Sequence, residues 1–202
     1  MLKERPDLTW RDVRLILAMT ARKNDPSNPG WTANYGLNFN PEYGFGAADA
    51  AAAVALARTW TTVDGGSPVM KSCQYTRTFP LPKDVDDTKP PATDSFDASG
   101  CAISKIEFVE VFFSATHPYS GDLRIELISP HGLVSKLASE RICLLDSDIQ
   151  FADSCGNYDN WQFGSVRHME EAAAGSWTLR VTDAQTGDAG TWTAWGLRVW
   201  GR

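Results

Sequence analysis

Polar and apolar positions alternate most cleanly between Tyr119 and Gly132, YSGDLRIELISPHG. Leu123, Ile125 and Leu127 fall on one side of an extended backbone and Arg124 and Glu126 on the other, the pattern of a half-buried strand. The flanking Ser-Gly-Asp and Ser-Pro-His-Gly are turn formers: Gly tolerates positive φ, Pro fixes φ, and short polar side chains bond the local backbone. The alternation returns in GSWTLRVTD, with Trp177, Leu179 and Val181 inward, and in AWGLRVWG, with Trp195, Leu197 and Val199 inward. These faces need an apolar cover and no helical pattern lies nearby, so a second sheet is expected and the fold class is mainly β, an antiparallel β-sandwich.

Between Ile103 and Thr116 the strand pattern is apolar on both sides. Ile106, Phe108 and Phe112 take one face, with Glu110 out of place, and Val109, Val111 and Phe113 take the other. A strand apolar on both faces marks a docking face or a misjudged register; docking is the favoured reading, with Val109, Val111 and Phe113 as the expected docking residues. Pro80 to Gly100, rich in Pro and Asp, is expected to be a solvated loop with Phe96 pinning its end to the sheet. Thr61 to Pro68, TTVDGGSP, is small and polar and reads as an interdomain linker.

Helical periodicity is confined to the N-terminal part. In PDLTWRDVRLILAMTAR, Thr9 can cap a helix with Asp12 in its first turn, and Val13, Ile16, Leu17 and Thr20 share one face. A Gly-rich turn then leads into an Ala-rich helix from about Ala47 to Trp60, whose small residues allow close approach of another element. These sixty residues show two helices and no sheet, and the stripe of the first is too large for the second to cover. The expected division is a helical segment over 1–60, a linker over 61–70 and a β domain over 71–202.

Charge narrows the partners. The net charge is -6, and residues 61–202 carry twelve Lys/Arg against nineteen Asp/Glu, which disfavours nucleic acid and anionic membranes. No apolar run approaches the roughly 20 residues of a membrane span, and MLKERPDLTW lacks the apolar core of a signal peptide.

Four cysteines allow three pairings, and the most economical joins Cys143 to Cys155 and Cys73 to Cys101. Such bridges predict an oxidising compartment, so a secreted or periplasmic location is expected. The loop that Cys143 and Cys155 would close holds Asp146, Asp148 and Asp153, followed by Asp159, and offers hard oxygens suited to calcium. Asp183 and Asp188, flanking the AQTG turn, are a second and weaker calcium candidate. His117, His131 and His168 read as surface or hydrogen-bonded strand-end residues, with His117 placed to bond a neighbouring backbone group. Alternation puts Trp177 and Trp195 inside.

Three blocks carry a family resemblance: YSGDLRIELISPHGLVSKL, NWQFGSVRHMEEAAAGSWTLRV and GTWTAWGLRVWG. In this order, over roughly 101–202, they resemble the P domain, or homo B domain, of kexin-like and furin-like proprotein convertases. PDLTWRDVRLILAMTAR and YGFGAADA resemble the C-terminal helices of the kexin-like subtilisin protease domain. The resemblance implies a jelly-roll-like sandwich preceded by helices from the end of an α/β subtilisin-like domain. It implies that Trp161, in the NWQF block, is packed, which leaves Trp192 and Trp200 as exposed platforms, too few for a polysaccharide-binding strip. It also implies that the P domain packs against the protease domain and supports its folding, with the rest of that domain as partner. The subtilase Asp, His and Ser motifs do not occur here, so no catalytic residue is assigned and no hydrolysis is expected from this chain alone. An independent β-sandwich binding module for polysaccharide or protein is the alternative.

Overall fold

A computed structural model describes residues 1–143 and 155–202. They form two compact units, 1–71 together with Arg202, and 72–201.

In the first unit, helix α1 spans Trp10–Thr20 and helix α2 spans Ala50–Thr59. Thr9 caps α1 in a capping box closed by Asp12, and Asp49 caps α2. Ile16 of α1 packs with Leu8 and with Ala53 and Ala57 of α2, where the small side chains let the helices approach. A short antiparallel ribbon, β1 (Thr32–Asn34) and β2 (Leu37–Phe39), was not expected from the sequence. It turns through Tyr35 and Gly36, both at positive φ, which three-residue strands do not announce.

The segment read as a linker is strapped to α1. Arg11 and Asp12 are both fully buried. Arg11 Nη1 donates to the carbonyls of Ser67 and Val69, both at 2.9 Å, and Nη2 to Asp64 Oδ2 at 3.0 Å. Asp12 Oδ1 accepts from Trp60 Nε1 and from the Val63 amide, both at 2.8 Å. A polar composition therefore conceals an anchored connection.

The second unit is a sandwich of two four-stranded sheets. One has the order β3 (Lys71–Asp86), β10 (Ala189–Gly201), β5 (Ile106–Thr116), β8 (Tyr158–Ser165). The other has β4 (Ala92–Asp97), β9 (Ser176–Asp183), β6 (Leu123–Ile128), β7 (Val134–Ala138). Pairs β10–β5, β5–β8, β4–β9, β9–β6 and β6–β7 are antiparallel. Leu123, Ile125, Leu127, Trp177, Leu179, Val181, Leu197 and Val199 are wholly buried, as their alternation predicts, and Trp195 is nearly so.

Several expectations need correction. Val109, Val111 and Phe113 do not form a docking face: they lie inside the sandwich core, 1%, 1% and 0% exposed. A register irregularity at Trp200/Gly201, opposite Phe108 and Ile106, shifts the phase, so that Ile106 and Val109 both point inward although three positions apart. Trp192 is also fully buried, because a second irregularity between Trp192 and Ala194 turns both Trp192 and Trp195 to the core. Trp161, by contrast, is 56% exposed. The stretch expected to be a loop over 80–100 is largely strand, with β3 running to Asp86 and β4 beginning at Ala92. Pro80 and Pro82 lie on β3, an edge strand of its sheet, the place in a sheet where proline is tolerated. Phe96 is buried in the core and stacks on Trp195 at 4.2 Å between centroids, as a pin would.

Candidate functional site

Chemistry concentrates at the end of the sandwich where the turn before β6 meets the turn after β9. The turn Ser120–Asp122 is a single 3-10 turn, with Ser120 and Gly121 buried. Gly121 is required for close approach: a Cβ there would collide with the Arg141 carbonyl and stand 3.1 and 3.3 Å from the sulfurs of Cys143 and Cys155. Those two cysteines are disulfide-bonded, with Cα atoms 5.2 Å apart, and the Gly121 amide points at Cys155 Sγ at 3.4 Å. Cys73 and Cys101 form the other bridge, with Cα atoms 5.9 Å apart.

His117 is buried beside this turn. Its Nε2 lies 3.2 Å from Asp183 Oδ2, and its Nδ1 lies 2.8 Å from the Tyr119 carbonyl oxygen. Asp183 Oδ1 accepts from the Gln185 amide at 3.3 Å. Asp122 is drawn into the same neighbourhood. Burial, then the charges of Asp183 and Asp188, push its pKa up against the opposing pull of His117. Asp122 and Asp188 line an open depression of about 550 Å³ with Tyr119, Glu140, Arg141, Ile142 and Gln185.

The predicted acidic residues divide accordingly. Asp183 and Asp188 come together with Asp122, which sequence reading took only as a turn former; its place in Ser-Gly-Asp, directly before the strand, was the available signal. Asp159 is exposed on β8, and Asp146, Asp148 and Asp153 lie outside the described residues. Among the described residues no group of three or more His, Cys, Asp and Glu side chains is arranged to hold a metal ion. Asp183 Oδ2 lies against His117 Nε2, and Oδ1 accepts from the Gln185 amide.

A second feature is the outer face of the β3-β10-β5-β8 sheet. Glu110, the misfit in the strand pattern, is its hub: Oε2 accepts from Trp200 Nε1 at 2.6 Å and Arg198 Nη1 at 3.5 Å, and Oε1 from Gln162 Nε2 at 2.5 Å. The Arg198 guanidinium lies 5.2 Å from the Phe112 ring centre and 5.5 Å from that of Trp200. Gly196, Phe112 and Arg198 are among the residues lining a depression of about 390 Å³. Phe112 and Trp200 are thus held under charge, not left bare.

Residues 106–199 match the family model described as the Proprotein convertase P-domain. Residues 106–199 are a P domain. The similarity reaches beyond it. "PC3-like endoprotease variant B" of Hydra vulgaris is 32% identical over 192 residues, covering 90% of this chain and 24% of the relative. "Proprotein convertase subtilisin/kexin type 5" of Homo sapiens is 32% identical over 191 residues, 90% of this chain and 9% of the relative. "Protease KEX1" of Kluyveromyces lactis is 28% identical over 204 residues, 100% of this chain and 26% of the relative. The chain therefore spans about a tenth to a quarter of these relatives. In fold it is similar to a serine protease of Aeromonas sobria, with a TM-score of 0.83 and 24% identity over 100% of this chain and 42% of that one. The P domain is mainly β with antiparallel sheets, the class its alternation predicts. Among the described residues no helix is long and apolar enough to cross a membrane.

Proposed function

We propose that this chain is the C-terminal part of a kexin-like subtilisin-family serine endopeptidase, in which the P domain stabilises the protease domain and supports its folding. The observation that carries the reading is the extent of the similarity: convertases align over 90% of the chain, so the helical unit matches them together with the P domain. Hydrolysis of peptide bonds belongs, on this reading, to a protease region outside residues 1–202, which is the partner of the P domain. Two disulfides support a secreted or periplasmic setting. The burial of Trp192 and the tie of Trp200 to Glu110 disfavour a flat polysaccharide-binding strip.

A binding experiment separates the two classes of function. The chain, immobilised, is offered a kexin-type protease region that lacks these residues and, separately, a glycan array. Saturable capture of the protease region with a blank array is the expected result. Glycan binding without capture would overturn the reading.

A further inference from the structure

Away from the acidic end, the crossover between β8 and β9 carries a buried ionisable pair. His168 and Glu171 are both wholly buried, with Nδ1 of the imidazole 3.1 Å from Glu171 Oε2. The other carboxylate oxygen lies 2.9 Å from Nδ1 of His131, which sits in the β6–β7 hairpin. Ser129 of the same hairpin also bonds the Glu171 carboxylate. The Glu171 carbonyl accepts from the Ile106 amide at 2.8 Å, and the Glu170 amide returns a bond of 2.8 Å to the Ile106 carbonyl. Glu171 thereby joins three stretches of chain: the hairpin, the crossover and the start of β5.

The second nitrogen of His168 decides how this junction responds to protons. Nε2 is buried and meets no hydrogen-bond partner among the described residues, and the ring packs edge-on against Trp177, 4.9 Å between centroids. With Nδ1–H donating to Glu171, Nε2 is a bare lone pair, which an apolar site tolerates. A proton added there makes a buried donor with no acceptor, a costly group to strand. The charged and titratable neighbours are Glu171 and Arg167 on the same segment and His131 on the hairpin; Lys105, before β5, is paired with Glu170 at 2.9 Å, and Trp177 of β9 brings only its ring.

We propose that His168, Glu171 and His131 form an acid-operated clasp that holds the β6–β7 hairpin to the β8–β9 crossover at neutral pH and opens when His168 takes a proton at Nε2. Burial lowers the affinity of the folded imidazole for a proton, Glu171 opposes this, and Arg167 adds to it; the net direction is below the ordinary 6.5. The unfolded chain then binds more protons than the folded one below about pH 6.5, so stability is complete above that value and falls as pH drops. Each pH unit below it raises the opening equilibrium by up to about tenfold.

The test is hydrogen exchange and thermal unfolding of the whole chain from pH 7.5 to 5.0, with intrinsic exchange rates corrected. The Ile106 and Leu133 amides, bonded to the Glu171 carbonyl and to Ser129 Oγ, should lose protection first as pH falls. His168→Asn keeps an NH donor near the Nδ1 position but cannot titrate; it should melt lower at pH 7.5 and show a flatter pH dependence, losing up to one linked proton. In the unmodified chain, nitrogen-detected NMR should show His168 neutral for as long as the clasp stays closed, with the imidazolium signal growing only as the Ile106 and Leu133 amides lose protection. An imidazolium signal from His168 in a domain whose Ile106 and Leu133 amides remain protected would overturn the clasp. So would parallel pH profiles for His168→Asn and the unmodified chain.

Discussion

Asp12→Asn removes one atom's worth of charge from a site with no exposure to water, and its cost can be worked from the bonds it disturbs. The carboxylate accepts from the Thr9 amide at 2.8 Å, the Thr9 hydroxyl at 2.6 Å, Trp60 Nε1 at 2.8 Å and the Val63 amide at 2.8 Å. An asparagine offers one oxygen, so its NH2 must face either Thr9 or the Trp60 and Val63 donors. Facing Thr9 is the cheaper choice, because the hydroxyl can rotate and accept; the Thr9 amide is left without its acceptor. Losing one charge-assisted bond and weakening two others, at about 1.5–3 kcal/mol for a bond to a charged group, gives a loss of about 2–4 kcal/mol in the first unit. The loss should be read as faster proteolytic cutting at Gly65 or Gly66 and as reduced protection of the Val63 amide, since the strap over 63–69 depends on this side chain and on Arg11. Although burial opposes it, hydrogen bonds from Thr9, Val63 and Trp60 hold the carboxyl below its ordinary 3.8. Its contribution is therefore present above that value and is lost as pH falls below it, so the gap between Asp12→Asn and the unmodified chain should close in strong acid. Equal cutting rates and equal Val63 protection at pH 7 would refute the strap.

Phe113→Ala should destabilise the sandwich by about 3–5 kcal/mol in denaturant unfolding, because the ring is wholly buried among Tyr158, Phe163 and Trp192. Phe112→Ala, on the outer face under Arg198, should cost less than half as much; the reverse order would place the wrong residue inside. Asp122→Asn should raise the melting temperature at pH 7, because a carboxyl pushed up by burial, Asp183 and Asp188 costs the folded state most when ionised. That gain should vanish as pH falls toward 3.8, and an unchanged melting temperature at pH 7 would contradict the crowding at this turn. Replacing Cys73 and Cys101 together by serine should cost roughly 3–4 kcal/mol in equilibrium unfolding, the loop-closure value for a separation of 28 residues.

The parts of the fold that could be read from sequence are those where a period runs unbroken. β6, β9 and the end of β10 keep strict alternation, so their inward sets are legible residue by residue. β5 and the start of β10 contain a one-residue slip each, and such a slip exchanges the two faces without leaving a mark in composition. That is why Val109, Val111 and Phe113 read as a docking face and Trp192 as a platform. Glu110 looked misplaced because its partners, Trp200 and Gln162, are 90 and 52 positions away. The same distance hides Arg11 and Asp12, whose charges look solvated until residues 60–69 fold back on them. In the candidate site, Asp183 and Asp188 were visible as turn residues, whereas the approach of Asp122 depends on sheet pairing of β6 with β9. His168 and Glu171 stand three apart, yet what makes them a junction is a hairpin some 40 residues earlier.

The central claim is that the P domain props up a protease domain of which it is not the catalytic part. The most direct measurement is the yield of active enzyme when a kexin-type protease region is produced with and without residues 72–201 in the same chain. The account predicts folded, active protease only when the sandwich is present, with Phe113→Ala lowering the yield and Phe112→Ala lowering it less. Equal activity from the protease region in the absence of the sandwich would contradict it.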